Sequence, residues 1–396
     1  MPVQTKTYKF RFYPNKLQQQ QLALEFGHAR FIYNWALDMR NKAYKRRKES
    51  LNYVSISKLL TQIKKTSRYQ WLNQAASSCA TQKLRDLDRA FTNFFEGRTS
   101  YPRFKKRLSA QSVRYQLDQR NIAKTFSNTP GKERLTVTKL GQLKVRWSRP
   151  VEGVPKMVAI SKNASGHYYL SLSAEVEIKP LPVTNRAVGV DLGIKDVVIT
   201  SDGERSGAPK YTRHYENALA RAQRSLARKK KGSNRRHRQR IKVAKIHVKI
   251  TNSRVNFLHH ISTKLINENQ VISLEDLNIK GMVRNAKLAK SISDSAMSML
   301  KQQLEYKAKW YGRELIVIDR WFPSSKTCNQ CKHVLSELSL SVRTWQCPEC
   351  GTEHDRDINA AINILVEGLK QYREGHGNWP IGLVLPANEQ GVSRAA

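Results

Sequence analysis

The sequence predicts a multidomain α/β protein on three observations. The chain has 396 residues, room for two or three domains of about 150 residues each. Residues 5–13 and the stretch from about 104 to Glu177 alternate with the two-residue period of strands, on either side of a long helical stretch. Beyond Pro180 and Pro182, short apolar runs separate long helical stretches, the pattern of a mixed sheet flanked by helices.

TKTYKFRFY (5–13) reads as a strand through Tyr8, Phe10 and Phe12, and Pro14 and Asn15 end it. From Leu17 to about Lys48 a helix follows, because Leu22, Phe26, Ala29 and Tyr33 step by four, three and four. A second helix runs from about Ser77 to Phe95, with Leu84, Leu87, Phe91 and Phe94 on one stripe. Both stripes read as core, and Cys79 as a buried apolar residue. YPRFKKR (Tyr101–Arg107) breaks the helix, and short alternating stretches joined by the turn signals SNTPGKE, KLGQ, SRPVEG and NASGH then build a small β-domain. The helices at 16–100 are an insertion into it.

In the second half, AVGVDLGIKDVVITSDG (187–203) gives two apolar β-runs, with Asp191 in the first. QVISLEDL (270–277) is a third, carrying Glu275, and ELIVIDRW (314–321) a fourth. HDRDINAAINILVEGL (354–369) reads as a helix with Asp357 near its first turn, where a carboxylate suits the helix dipole. From residue 373 on, Gly375, Gly377, Pro380 and Pro386 suggest a loose tail.

Composition narrows the class. Lys and Arg number 71 against 31 Asp and Glu, a net charge of +40. Such an excess repels itself unless a polyanion neutralises it, so nucleic acid is the expected partner. No apolar run approaches the roughly 18 residues of a membrane span, and MPVQTKTYKFRFYP has no signal-peptide apolar region. Five cysteines are too few for a disulfide scaffold of this length. A cytoplasmic, nucleic-acid-binding protein is expected.

Four of those cysteines form Cys328-x2-Cys331-x15-Cys347-x2-Cys350. Each CxxC turn presents two thiolates to one tetrahedral ion, and four thiolates leave no open position, so a structural zinc is expected rather than two redox pairs. Asp191, Glu275 and Asp357 are isolated acids in or beside apolar segments, where a charge is costly unless paired or metal-bound. They could hold a pair of Mg2+ ions for phosphodiester hydrolysis, or simply cap strands and pair with Arg and Lys. Asp196, Asp276, Asp319 and Asp355 compete with them on composition alone.

From Asn217 to Asn267, 51 residues contain fifteen Lys or Arg and no acid. Without acids this run cannot be an ion-pair network, which favours a phosphate track over a solvated face. Its nucleic-acid candidates are Arg228, Lys229, Lys230, Lys231, Arg235, Arg236, Arg238 and Arg240. Aromatic residues are scarce in it, so backbone contact is favoured over base stacking. The N-terminal helices interleave basic and aromatic residues (Arg30, Tyr33, Trp35, Arg40, Tyr44), a pattern equally suited to reading bases or to a core beside a solvated face.

GVDLGIKD, the basic stretch, SLEDLNIKGM, FPSSKTCNQC, RTWQCPECGTEHDRDINAAINI and the early YPRFKKR, in this order, resemble the TnpB family. These are RNA-guided nucleases of insertion sequences, also labelled OrfB transposases and related to type V CRISPR effectors. The resemblance extends to about residue 372. It implies an RNase H-like RuvC nuclease domain at 183–324 and 352–372 and an inserted zinc ribbon at 325–351. It also implies a wedge β-barrel domain at 1–14 and 104–182 with a helical recognition domain inserted at 15–103.

By the same resemblance the catalytic, Mg2+-binding residues are Asp191, Glu275 and Asp357, with Arg356 and Asn359 supporting them. Tyr53, Ser77 and Thr81 fall where the family reads a motif flanking its target. The partners implied are a guide RNA, one protein per RNA, and target double-stranded DNA. The implied activity is RNA-guided endonucleolytic cutting, in a prokaryotic cytoplasm beside the nucleoid. A guided repressor without cleavage would show a broken triad, and a strand-transferring transposase an Asp-Asp-Glu order; this chain shows neither.

Overall fold

The computed structural model describes residues 3–107, 111–339 and 341–377. They fold as two compact units, one ending at Glu177 and one starting at Ile178.

In the first unit, β1 (Val3–Phe12) is followed by helices α1 (Lys16–Arg47), α2 (Tyr53–Ile63) and α3 (Ser77–Phe95) before β2 (Gln111–Gln116). Strands β3 (Val145–Arg146), β4 (Pro155–Lys162) and β5 (Tyr168–Glu177) complete an antiparallel sheet in the order β2-β4-β5-β1-β3. The alternation read in the sequence is the reason: Tyr8, Phe10 and Phe12 are buried while their neighbours face out, and β1 pairs along its full length with β5. Asn15 caps α1 with a reciprocal bond to Gln18, and Lys48 closes it in the left-handed region. Leu22, Phe26, Ala29 and Cys79 join the sheet's core, whereas Tyr33, Leu84 and Leu87 pack among the helices.

The second unit is a three-layer sandwich. Its sheet comprises β6 (Ala187–Asp191), β7 (Ile199–Thr200), β8 (Val271–Glu275) and β9 (Glu314–Ile318), in the order β7-β6-β8-β9. Strands β6, β8 and β9 are mutually parallel and β7 is antiparallel to β6. Helix α4 (Glu216–Ala227) and the long α5 (Asn234–Glu268) connect β7 to β8, and α6 (Met297–Tyr311) precedes β9. A hairpin of β10 (Thr344–Gln346) and β11 (Glu353–Asp355) then leads into α7 (Arg356–His376). Residues 373–376, expected in the tail, are therefore helical; the rest of that tail, 378–396, lies outside the described residues. Among the described residues no helix is long and apolar enough to cross a membrane.

The two faces of the sheet divide by parity. Val188, Val190, Ile272 and Leu274 pack with α5 and α6 through Leu258, Ile266, Leu300 and Leu304. The alternate residues turn the other way: Ala187 and Val271 meet Leu365 and Leu369 of α7. Gly189 and Ser273 share that second face, where a Cβ on Gly189 would lie 1.9 Å from the Ala361 carbonyl and one on Gly368 2.1 Å from Ser273 Oγ. Gly189 lets the strand touch the helix backbone to backbone, and Gly368 lets the helix backbone seat on the Ser273 side chain.

Gly189→Ala should therefore loosen α7 from the sheet, at a cost of about 1–3 kcal/mol typical of overpacking, read as a lowered thermal midpoint. Gly375→Ala is the control: a Cβ there meets nothing within 4 Å, so its midpoint should hold or rise. Equal behaviour of the two variants would refute the close-approach argument.

Candidate active site and metal centre

Asp191 ends β6 and Glu275 ends β8. Their strands are paired up to Val190 and Leu274, one residue short of the two acids, so the carboxyls stand side by side on the face covered by α7. Asp357 lies in the first turn of α7, after the N-cap Asp355.

Electrostatics separate these acids from their neighbours. Asp191 is pushed up to about 6 by burial and then by the negative charge of Asp357, against the pull of the Leu192 N–H, Arg356 and Arg205. Glu275 is pushed up to about 7 by burial and then by Asp191, a Ser324 hydrogen bond opposing. Neither makes an ion pair among the described residues. The competing acids are engaged, three of them by basic groups and Asp319 by a backbone N–H. Asp276 is held low by hydrogen bonds from Lys301 and Arg320. Asp355 accepts the N–H groups of Asp357 and Ile358 at 3.1 and 3.0 Å and both hydrogen bonds of Arg205 Nη2 at 2.9 and 2.8 Å. Asp196 accepts from Arg205 at 3.5 Å and from the Gly207 N–H at 3.0 Å. Asp319 accepts from the Trp321 N–H at 2.7 Å. Unpaired, buried carboxyls placed side by side could hold a cation between them, and hard oxygen donors suit Mg2+.

Two arginines that the sequence reading missed flank Asp357. Arg205 Nη1 lies 3.6 Å and Arg343 Nη1 3.3 Å from its carboxylate oxygens. Only a charge-bearing residue adjacent to a motif, as in Arg343-Thr-Trp-Gln-Cys347, hinted at them. Arg356, expected to support the acids, bonds the Ser339 carbonyl at 3.0 Å while its charge eases ionisation of Asp191.

The four cysteines converge. Their sulfurs all lie within 4.8 Å of one another, with Cys328–Cys350 at 3.6 Å and Cys331–Cys347 at 3.5 Å. A tetrahedron of thiolates 2.3 Å from zinc needs sulfurs about 3.8 Å apart, so the set fits that ion. Asn359, expected beside the acids, instead anchors this knuckle: its Nδ2 donates to the Thr327 carbonyl at 2.8 Å and its Oδ1 accepts the Asn329 N–H at 3.0 Å. Asn363 adds bonds to the Ser324 and Thr327 carbonyls at 2.9 and 2.6 Å.

The basic candidates occupy the turn between α4 and α5 and the first turns of α5. Arg228, Lys230, Lys231, Arg235, Arg238 and Arg240 are exposed; Lys229 is half-buried, with its ammonium 3.3 Å from Ser225 Oγ. Arg236 departs from expectation: its guanidinium donates to the Leu226 and Lys229 carbonyls at 2.7 and 2.9 Å, bracing the turn rather than facing solvent. In the first unit Tyr53 starts α2 beneath the Arg85 guanidinium, 5.6 Å from its ring centroid. Ser77 and Thr81 stand one turn apart on α3, and the Thr81 hydroxyl is engaged with the Ser77 carbonyl at 3.4 Å.

A sheet with unpaired acids at adjacent strand ends, a thiolate knuckle and a strongly basic helix pair together define the class: a protein with donor sets for cations and a basic surface complementary to a polyanion. The comparisons give the family. Residues 171–286 match the IS605 OrfB family, described as "Probable transposase". Residues 298–364 match a Cas12f1-like TNB domain. Residues 1–49 match a domain described as helix-turn-helix, which in this structure is a strand and one uninterrupted helix. The chain is 44% identical over 378 residues to a "Putative RNA-guided DNA endonuclease" of Streptomyces pristinaespiralis, covering 95% of this chain and 92% of that one. It is 31% identical to InsQ of Escherichia coli, described in the same words, covering 92% of each. In fold it resembles a solved Cas12f1 complex with single-guide RNA and target DNA, with a TM-score of 0.56 at 13% identity, covering 91% of this chain and 98% of that one. The chain belongs to the IS605 OrfB family, the TnpB-type proteins.

Two predictions follow from this geometry. Raised carboxyls hold their protons more tightly in the folded protein than in the unfolded chain. In magnesium-free buffer their contribution to stability is therefore present below about pH 4 and lost as pH rises through about 6 for Asp191 and 7 for Glu275. Asp191→Asn should raise the thermal midpoint near pH 8 by roughly 2–4 °C and by clearly less near pH 4.5, where the folded Asp191 is still protonated; a pH-independent gain would sink the repulsion argument. For the knuckle, Cys347→Ser should lower bound zinc and the thermal midpoint together, by metal analysis and calorimetry. A soluble, zinc-free variant with an unchanged midpoint would show that the metal is not structural.

Proposed function

We propose that this protein is an RNA-guided DNA endonuclease that hydrolyses both strands of target DNA at one site, formed by Asp191, Glu275 and Asp357. The observation carrying this reading is the contrast among its acids: Asp191 and Glu275 are unpaired and are pushed up by burial and by a neighbouring acid, Asp357 for the first and Asp191 for the second, while Asp196, Asp276 and Asp355 are engaged by basic groups. Relatives of similar length are named RNA-guided DNA endonucleases, which supports the substrate class.

Two Mg2+ ions held by the three carboxylates would supply a nucleophilic hydroxide and charge for the leaving oxygen. The chain's own groups do the rest. Asp355 fixes the first turn of α7, and so the position of Asp357, through its two backbone N–H bonds. Arg205 ties that turn to the loop after β7 by binding Asp355. Arg343 brings a positive charge to the edge of the site, where a phosphate would sit. The exposed cations of the α4–α5 turn supply sequence-independent contact to a nucleic-acid backbone. Pairing with a guide RNA would read the target, leaving the protein to read a short flanking motif, for which Tyr53, Ser77 and Thr81 are the candidates. In this reading 183–324 and 352–372 form a RuvC-like domain and 325–351 its zinc ribbon. Residues 1–14 and 104–182 form a wedge domain around a recognition insert at 15–103, and one protein serves each RNA.

The test is a split phenotype. With its RNA, Asp191→Ala should bind target DNA within a few-fold of wild type and give no linear plasmid in Mg2+. Asp355→Asn should keep most activity, because asparagine caps a helix as well as aspartate does, whereas Asp357→Asn should lose it. Cutting by Asp191→Ala would remove the central residue of the proposal, and a joined donor end in place of a linear product would indicate strand transfer instead.

A further inference from the structure

A cavity of about 360 Å3 opens beside the carboxylates. Ile194, Val197, Phe257 and Leu288 make an apolar lining, and the Tyr211 ring meets Phe257 edge-on at 6.4 Å. In its polar wall Asp294 accepts from Thr212 Oγ1 at 2.9 Å and from Arg254 Nη2 at 2.6 Å, while the Arg254 Nε is buried without a partner among the described residues. Around this lining stand Lys195, Lys210 and Arg213, exposed and in no ion pair among the described residues. Arg343 lines the same cavity and reaches Asp357 at 3.3 Å, so cavity and carboxylates are one side chain apart.

An apolar slot rimmed by three unpaired cations is complementary to a group with a flat apolar part and an anionic tether, which is one unstacked nucleotide. The volume sits at the lower end of the range for small-ligand pockets, about 300–1,000 Å3, and suits a single base with its sugar. With Asp294 committed to its own partners, the lining offers stacking and apolar contact rather than base-specific hydrogen bonds, a sequence-tolerant mode. We infer that this cavity receives one nucleotide of the single DNA strand presented for cutting, its base against Tyr211 and Phe257 and its phosphates on Lys195, Lys210 and Arg213. The strand would thereby be held beside Asp357. The inference rests on the nuclease reading for its purpose, but the binding itself can be measured without cleavage.

The experiment uses the protein–RNA complex carrying Asp191→Ala and a short single-stranded DNA containing 5-iodouracil. Ultraviolet crosslinking followed by peptide mapping should place the DNA on Tyr211 or Phe257. Replacing Lys210 and Arg213 by Gln should reduce the slope of log affinity against log salt by about 1.4, or 0.7 for each of two lost single-strand phosphate contacts. The same pair of changes should leave guided binding of the duplex target within twofold. In the otherwise wild-type protein, Leu288→Trp should fill the slot and slow cutting about tenfold; the two exposed-cation changes cover the case in which that variant fails to fold. Crosslinks mapping elsewhere, crosslinks formed with the guide RNA instead of the DNA, or an unchanged salt slope would each overturn the assignment. If no protein cuts DNA while the crosslink still maps to Tyr211 or Phe257, the nuclease reading fails and the nucleotide site stands.

Discussion

The backbone contact between α7 and the sheet governs the second unit. Gly189 and Gly368 leave no room for a side chain, and without side chains helix and strands approach until the Ala361 carbonyl and Ser273 Oγ lie where a Cβ would be. At that distance the helix start has little freedom to slide. Asp357 is consequently fixed relative to Asp191, which shares Gly189's strand and face, and relative to Glu275, which shares Ser273's. The same parity that turns Val188 and Val190 into the core turns the acids toward the helix. Two glycines thus convert a sequence pattern spread over 167 positions, Asp191 to Asp357, into one local cluster.

Once clustered, the acids cannot relax. A chain with 71 basic residues could have neutralised them easily, as Lys301 and Arg320 neutralise Asp276. Here the basic groups stop one shell short: Arg205 spends its shortest bonds on Asp355, and Arg343 reaches only the outer acid. The interior pair remains exposed to mutual repulsion, which costs stability in the metal-free protein and favours any cation that replaces the missing charge. Destabilisation of this kind is expected of a site and is hard to explain in a purely structural strand end.

Most of this was legible in the sequence, for different reasons in different places. Strands β1, β6, β8 and β9 and helices α1 and α3 carry clear periodicity, and the CxxC pairs fix their own geometry. Helix α2, with two buried residues, has too little stripe to stand out, though Asn52 caps it. Composition could not choose among Asp191, Asp196, Asp276, Asp319 and Asp355, because an acid's partners come from distant segments: Arg205 meets Asp355 across 150 residues. The family resemblance made that choice, and the pairing pattern sets Asp191 and Glu275 apart, whereas Asp357 is flanked by Arg205 and Arg343. Arg236 shows the opposite error. A basic run looks uniform in sequence, yet the turn it forms needs its carbonyls satisfied, and one arginine is drawn inward to do so.

The thiolate knuckle and the acids are mechanically one object. Asn359 and Asn363 sit on α7, about half a turn and nearly two turns beyond Asp357, and hold the carbonyls of Ser324 and Thr327 at the root of the first CxxC. Ser324 in turn bonds Glu275. Arg343 lies beside β10 and Asp355 ends β11, so both members of the knuckle's hairpin touch the start of α7. A metal that orders the knuckle therefore orders the residues that set Asp357 and Glu275, although it touches neither. A zinc held there would be structural in the ordinary sense of closing a small loop, and its effect would be felt at the carboxylates because buried asparagines leave few ways for the knuckle to move without breaking their hydrogen bonds.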